Sequence, residues 1–96
     1  MNPQRGETAL EIGGEMRRLC LTLGALAEIE HALGCESLKD LKTRLKTLSA
    51  ADLTKLLAAL LRGGGEAELA SKVSELVVHP GEVVAAVIAC FKGVTP

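Results

Sequence analysis

The sequence predicts an α+β fold, an N-terminal β-hairpin packed on a compact, predominantly helical bundle of about five short helices. Three observations carry that expectation. Alternating segments flank Gly13-Gly14, a leucine stripe from Leu53 to Leu61 has helical spacing, and Gly34, Gly63-Gly64-Gly65 and His79-Pro80-Gly81 punctuate the remainder into short pieces. At 96 residues the chain is the size of one domain spanning 1–96, with the hairpin over about 6–21 and the helices over about 22–92.

In the first segment, Glu7 to Ile12, Thr8, Leu10 and Ile12 alternate with Ala9 and Glu11, and a second run follows from Glu15 to Leu21. The Gly-Gly pair between them accepts the positive φ angles of a two-residue primed turn. In the second run Leu19 and Leu21 share a face with Arg17, while Met16, Arg18 and Cys20 point the other way. An isolated hairpin is only marginally stable, so this one must lie on the helices.

Thr22 is placed to cap the first helix, with Leu23, Leu26, Ala27, Ile29 and Leu33 as its expected buried side, Glu28 and His31 outside, and Gly34 as its left-handed C-terminal cap. Gly24 in its first turn costs helix stability and suggests close packing there. Ser37 opens a second short helix, with Asp40 in the capping-box position, an apolar side of Leu38, Leu41 and Leu45, and a basic outer side. Ser49 and Asp52 repeat the capping pattern before Leu53, Leu56, Leu57, Leu60 and Leu61, a complete i, i+3, i+4, i+7, i+8 stripe. Arg62 suits the negative end of that helix's dipole, and Gly63 to Gly65 are expected to release the backbone.

A fourth helix is expected over about Glu66 to Leu76, burying Leu69, Val73 and Leu76, with His79-Pro80-Gly81 as a break. The last segment, Val83 to Phe91, is rich in β-branched residues. Its Val84, Val87, Ile88 and Phe91 fall on one helical face and Pro80 suits a helix start, so helix is the preferred reading and strand the alternative.

Apolar residues make up 48% of the chain, yet Phe91 is its one aromatic residue, so the core must be aliphatic. Eleven basic and twelve acidic residues nearly cancel, which argues against nucleic acid or an anionic membrane as the main partner and favours self-association into a homo-oligomer. No window approaches the roughly 18 apolar residues of a membrane span, and MNPQRGE does not resemble a secretion signal. Cys20, Cys35 and Cys90 are odd in number and lack a CxxC spacing, so reduced thiols and a cytoplasmic location are expected, with Cys20 and Cys90 as small buried hydrophobes.

Candidate chemistry is sparse. Gly63-Gly64-Gly65 follows a helix and precedes Glu66, whereas a phosphate-binding loop follows a strand and ends in Lys-Ser/Thr. His31 and Cys35 have the i, i+4 spacing of metal ligands, but Gly34 separates them, and Cys20 and His79 add no second pair. No cysteine has a neighbouring base or electropositive pocket, and Glu28 and Glu30, two residues apart, diverge around a helix. No catalytic, cofactor-binding or metal-binding residues are assigned, and a non-enzymatic protein is expected. Lys39, Lys42 and Lys46, with Arg44 nearby, form a basic stripe that reads as a solvated face or as a surface for an acidic protein partner. A small DNA-binding regulator would use the same stripe, but aromatic residues for base stacking are lacking.

The segments RGETALEIGGEMRRLCLTLGALAEIEHALG (Arg5 to Gly34), Ser49-Ala50-Ala51-Asp52-Leu53 and LLRGGG (Leu60 to Gly65) resemble a family of small tail proteins from gene transfer agents and related tailed phages. That family is regarded as tail assembly chaperones and is sometimes labelled as tail tube proteins. The resemblance is strongest over roughly the first two-thirds of the chain, with matches at Leu21 to Glu30 and at Leu61 to Gly65, and Val77 to Gly81 departs most. The resemblance implies a protein that holds the tape-measure protein while tail tube subunits polymerise around it, then leaves. A structural tail tube or connector subunit is the alternative, with the shortage of strand against it. The partner-binding residues suggested are Lys39, Lys42, Arg44, Lys46, Arg62, Gly63, Gly64 and Gly65.

Overall fold

Gly13 (φ +63°) and Gly14 (φ +84°) make the two-residue turn in which both central residues have positive φ. In the computed structural model, which describes residues 6–92, strands β1 (Glu7–Ile12) and β2 (Glu15–Cys20) pair antiparallel around it. Arg5, the start of the family-like segment, lies outside the described residues. Ile12 stands opposite Glu15 and Glu7 opposite Cys20, and the Leu21 N–H extends the ladder by donating to the Gly6 carbonyl at 2.8 Å. Leu10, Ile12, Leu19 and Leu21 are buried, as the alternation predicts.

Helix α1 (Leu23–Leu33) is capped by Thr22, whose hydroxyl accepts from the Ala25 N–H at 3.0 Å. It closes on Gly34 (φ +69°) in a Schellman motif, with Cys35 N–H donating to the Glu30 carbonyl and Gly34 N–H to that of His31. The buried row differs from the expected one: Ala25, Ile29 and Leu33 face inward, Leu26 is half-buried, Ala27 is exposed and Leu23 is 85% exposed. The buried residues form one i, i+4 row through residues 25, 29 and 33, and Leu23 lies about 200° around from Ala25. Gly24 has only the Thr22 hydroxyl within 4 Å of a would-be Cβ, so close packing is not its role.

Helix α2 (Leu38–Arg44) starts at Ser37, whose hydroxyl accepts from the Asp40 N–H at 3.1 Å. The Asp40 carboxylate reaches the Glu36 N–H rather than that of Ser37, shifting the expected reciprocal bond by one residue. Two turns point one leucine inward: Leu41 is buried, Leu45 half-buried, and Leu38 is 60% exposed, against expectation.

Helix α3 (Ala50–Gly63) carries the full capping box, with Ser49 and Asp52 exchanging side-chain to backbone bonds of 3.1 and 3.0 Å. It is the centre of the fold. Leu56, Leu57, Leu60 and Leu61 are buried as predicted, Leu53 is half-buried, and Ala58 and Ala59 are also covered, because α1, β2 and two later helices surround it.

The expected fourth helix is broken into α4 (Ala67–Ala70) and a 3-10 turn at Val73–Glu75. The Ser71 hydroxyl donates to the Glu68 carbonyl at 2.6 Å and the Lys72 N–H to that of Leu69, a tightened ending that local serine bonding promotes. Leu69, Val73 and Leu76 are only half-buried. Helix α5 (Pro80–Lys92) settles the last segment as helix. The expected break falls at residues 76–79, and Pro80 starts the helix as expected, since it occupies the first turn, where its missing N–H costs nothing, and the Glu82 and Val83 N–H groups donate to the His79 carbonyl.

Leucines, isoleucines and valines from both strands, α1, α2, α3 and α5 form one continuous cluster with Cys90 and Phe91. Cys20 and Cys90 are buried as expected, and burial first, then the neighbouring Cys20, pushes the Cys90 thiol up to about 12. In native protein a maleimide is therefore expected to label half-buried Cys35 first, and Cys90 only as the protein unfolds. Prompt Cys90 labelling, read by peptide mass, would contradict this packing.

Candidate partner-binding surface

The end of α3 serves the fold before it serves any partner. Gly65 (φ +86°) closes a Schellman motif in which Glu66 N–H donates to the Leu61 carbonyl and Gly65 N–H to that of Arg62. A Cβ on Gly63 would lie 2.1 Å from the Cys20 carbonyl oxygen, and one on Gly64 would lie 2.1 Å from that of Arg18. Beyond releasing the backbone, these glycines seat α3 directly on the outer edge of β2; Gly65 alone of the three is exposed. Arg62 forks onto Glu28 of α1, with its Nε 3.0 Å from one carboxylate oxygen and Nη2 on the other. That hydrogen bonding holds the Glu28 carboxyl below its ordinary value and raises Arg62.

Arg44 is also engaged. Its guanidinium contacts both Asp52 oxygens at 3.0–3.1 Å and the Thr47 carbonyl at 3.0 Å, tying the end of α2 to the first turn of α3. The Asp52 carboxyl is lowered chiefly by the Ser49 backbone N–H, with Arg44 adding to it. Lys39, Lys42 and Lys46 are exposed and make no ion pair among the described residues. The basic stripe is thus three lysines, and the two arginines brace helices.

Glu28 and Asp52 fix the sign of the acid response. Both are depressed in the fold relative to ordinary values of 4.5 and 3.8, so their stabilisation is complete above those values and is lost as pH falls below them. The melting temperature should be flat from about pH 6 to about pH 8 and drop below roughly pH 4.5. Thermal melts of a Glu28→Gln/Asp52→Asn double variant should show a shallower drop; an identical acid limb would rule these two groups out as its cause.

Sequence reasoning missed a groove beside the lysines. Leu45 and Leu48 from the end of α2 and its following loop face Val84, Val87, Ile88 and Phe91 of α5 across a cleft of about 220 Å³, with Lys42 and Lys92 at its rim. The face Val84-Val87-Ile88-Phe91 was the expected core side of α5. Val87 and Phe91 of that face are buried, joined by Val83, Ala86 and Cys90, while Val84 is half-buried and Ile88 is 51% exposed, because small Ala86 and Cys90 let the helix approach β1 and α3 closely. Val84 and Ile88, the two that depart, open that face as a groove wall. Such a cleft offers an apolar floor and positive edges; it holds no nucleophile or paired acid and base.

Elsewhere, exposed His31 and half-buried Cys35 sit on either side of the Gly34 cap, and no group of three His, Cys, Asp or Glu side chains able to hold a metal occurs among the described residues. No described helix is long and apolar enough to cross a membrane. Comparison with curated proteins and with solved structures returns no match. The family model described as "Phage tail tube protein, GTA-gp10" matches residues 5–94. With almost its whole length covered, the chain belongs to that family of phage and gene transfer agent tail proteins.

Proposed function

We propose that the protein is a non-enzymatic tail assembly chaperone, which holds the tape-measure protein in the cytoplasm while the tail tube polymerises and then departs. The observation that supports this reading is the α2–α5 groove, whose Leu45, Leu48, Val84, Ile88 and Phe91 suit the apolar face of a helix. Lys42 and Lys92 line the groove, Lys39 and Lys46 lie exposed on α2 and just beyond it, and this positive charge would meet the acidic flank of an amphipathic client. Arg44 braces the end of α2 beside the groove, whereas Arg62, Gly63 and Gly64 hold α3 to α1 and β2, and Gly65 lies exposed just past the end of α3. Several copies along one long client would give useful avidity from modest single-site affinity.

Co-expression with the tape-measure protein of the same tail is expected to give a co-eluting complex and a more soluble client. Absence of both a complex and a gain in solubility would overturn the proposal. A structural tube or connector subunit is the second reading, favoured by the family's description. The two strands among the described residues are few for a subunit that must extend a sheet around a ring. Mass spectrometry of finished tails separates the two: ring stoichiometry means a tube subunit, and absence from the finished tail means a chaperone.

A further inference from the structure

Strand β1 is paired on one side only. In an antiparallel ladder alternate residues turn their N–H and C=O groups outward, and the Leu21 to Gly6 bond sets the phase: residues 6, 8, 10 and 12 bond to β2, while Glu7, Ala9 and Glu11 face away. The same phase turns the Arg18 and Cys20 carbonyls away from β1, and they indeed lie against Gly64 and Gly63 of α3. The β2 edge is therefore covered by helix. On the β1 edge, the backbone groups of Glu7, Ala9 and Glu11 bond to no other backbone among the described residues.

A cleft of about 390 Å³ runs along that open edge. Its far wall is α5, where Ala85 and Ala86 contribute nothing larger than a methyl group. Glu11 and Glu82 border it, and neither is in an ion pair among the described residues; nearby Arg18 is neutralised by Glu7 at 2.8 Å. Charge selects the occupant. A second copy pairing antiparallel about Ala9 would bring each Glu11 against Glu7, leaving two carboxylates to the single Arg18 at each end, an arrangement that sheets disfavour. We propose that this edge is a second binding site, which takes an extended, lysine- or arginine-bearing segment of another polypeptide by strand addition.

The site is separate from the α2–α5 groove, so each can fail alone. The probe is an acetylated and amidated Thr-Lys-Val-Lys-Val-Thr peptide, with Thr-Glu-Val-Glu-Val-Thr as its charge-reversed counterpart. NMR-detected amide exchange should show the basic peptide slowing the Glu7, Ala9 and Glu11 amides roughly tenfold or more, as new backbone hydrogen bonds would. The Glu11→Lys/Glu82→Lys variant, altered only at exposed side chains, should reverse the preference between the two peptides. Ala9→Pro removes no bond to β2 and should abolish binding; if it does not fold, the charge-reversal variant decides. Unchanged exchange with saturating basic peptide, equal binding of both peptides, or wild-type binding by folded Ala9→Pro would overturn the proposal. So would protection of the same amides by self-association alone.

Discussion

Leu60→Ala is expected to cost about 2–5 kcal/mol of folding stability, the range for truncating a fully buried leucine that cannot be replaced by collapse. Leu60 is 0% exposed near the C-terminal end of α3, the helix against which α1, β2, α4 and α5 all pack. A domain of this size has about 5–10 kcal/mol in total, so this one side chain carries a large fraction of it. The urea midpoint should fall steeply, with a thermal midpoint lower by roughly 10 °C or more. Leu23→Ala, at a residue 85% exposed, should move either midpoint by no more than about 0.5 kcal/mol's worth. Comparable losses at the two positions would mean that α1 is rotated as its apolar pattern first suggests.

Gly64→Ala is the second large effect, about 1–3 kcal/mol or more. The added methyl would stand 2.1 Å from the Arg18 oxygen, 2.7 Å from its carbonyl carbon and 3.2 Å from the Leu19 nitrogen, all backbone atoms that cannot rotate aside. Gly64 has φ −86°, a conformation alanine readily adopts, so the cost comes from the contact and not from the dihedral. Alanine's better helix propensity, about 1 kcal/mol, works in the opposite direction. Net destabilisation by chemical denaturation, with faster amide exchange in β2, is the expected result. A stability equal to or above wild type would show that the glycine only ends the helix.

Features set by neighbours in sequence were legible. Thr22, Ser37, Ser49 and Gly34 each cap a helix through bonds no more than five residues long, and Gly13-Gly14 fixes the register of a hairpin whose partners are adjacent. Features set by distant packing were not. In α1 and α5 apolar residues lie nearly all the way round, so the pattern admits more than one buried row, and the elements packed against each helix decide which is used. The Gly63-Gly64 contact with β2 joins segments some forty residues apart, and nothing local marks it. Likewise Arg44 reads as part of a basic stripe until α3 brings Asp52 beside it. The groove escaped notice for the same reason: Val84 and Ile88 look like core until α5 is seen to turn Val83, Ala86 and Cys90 inward.

The claim that the α2–α5 groove grips a tail polypeptide is tested most directly by titrating the tape-measure protein with wild type and with Ile88→Glu. Because Ile88 is 51% exposed, the variant should keep the wild-type melting temperature. Its affinity should fall roughly tenfold or more, since a carboxylate would sit on the apolar floor of the groove. Equal affinity of the two proteins, or no binding by wild type, would contradict the account.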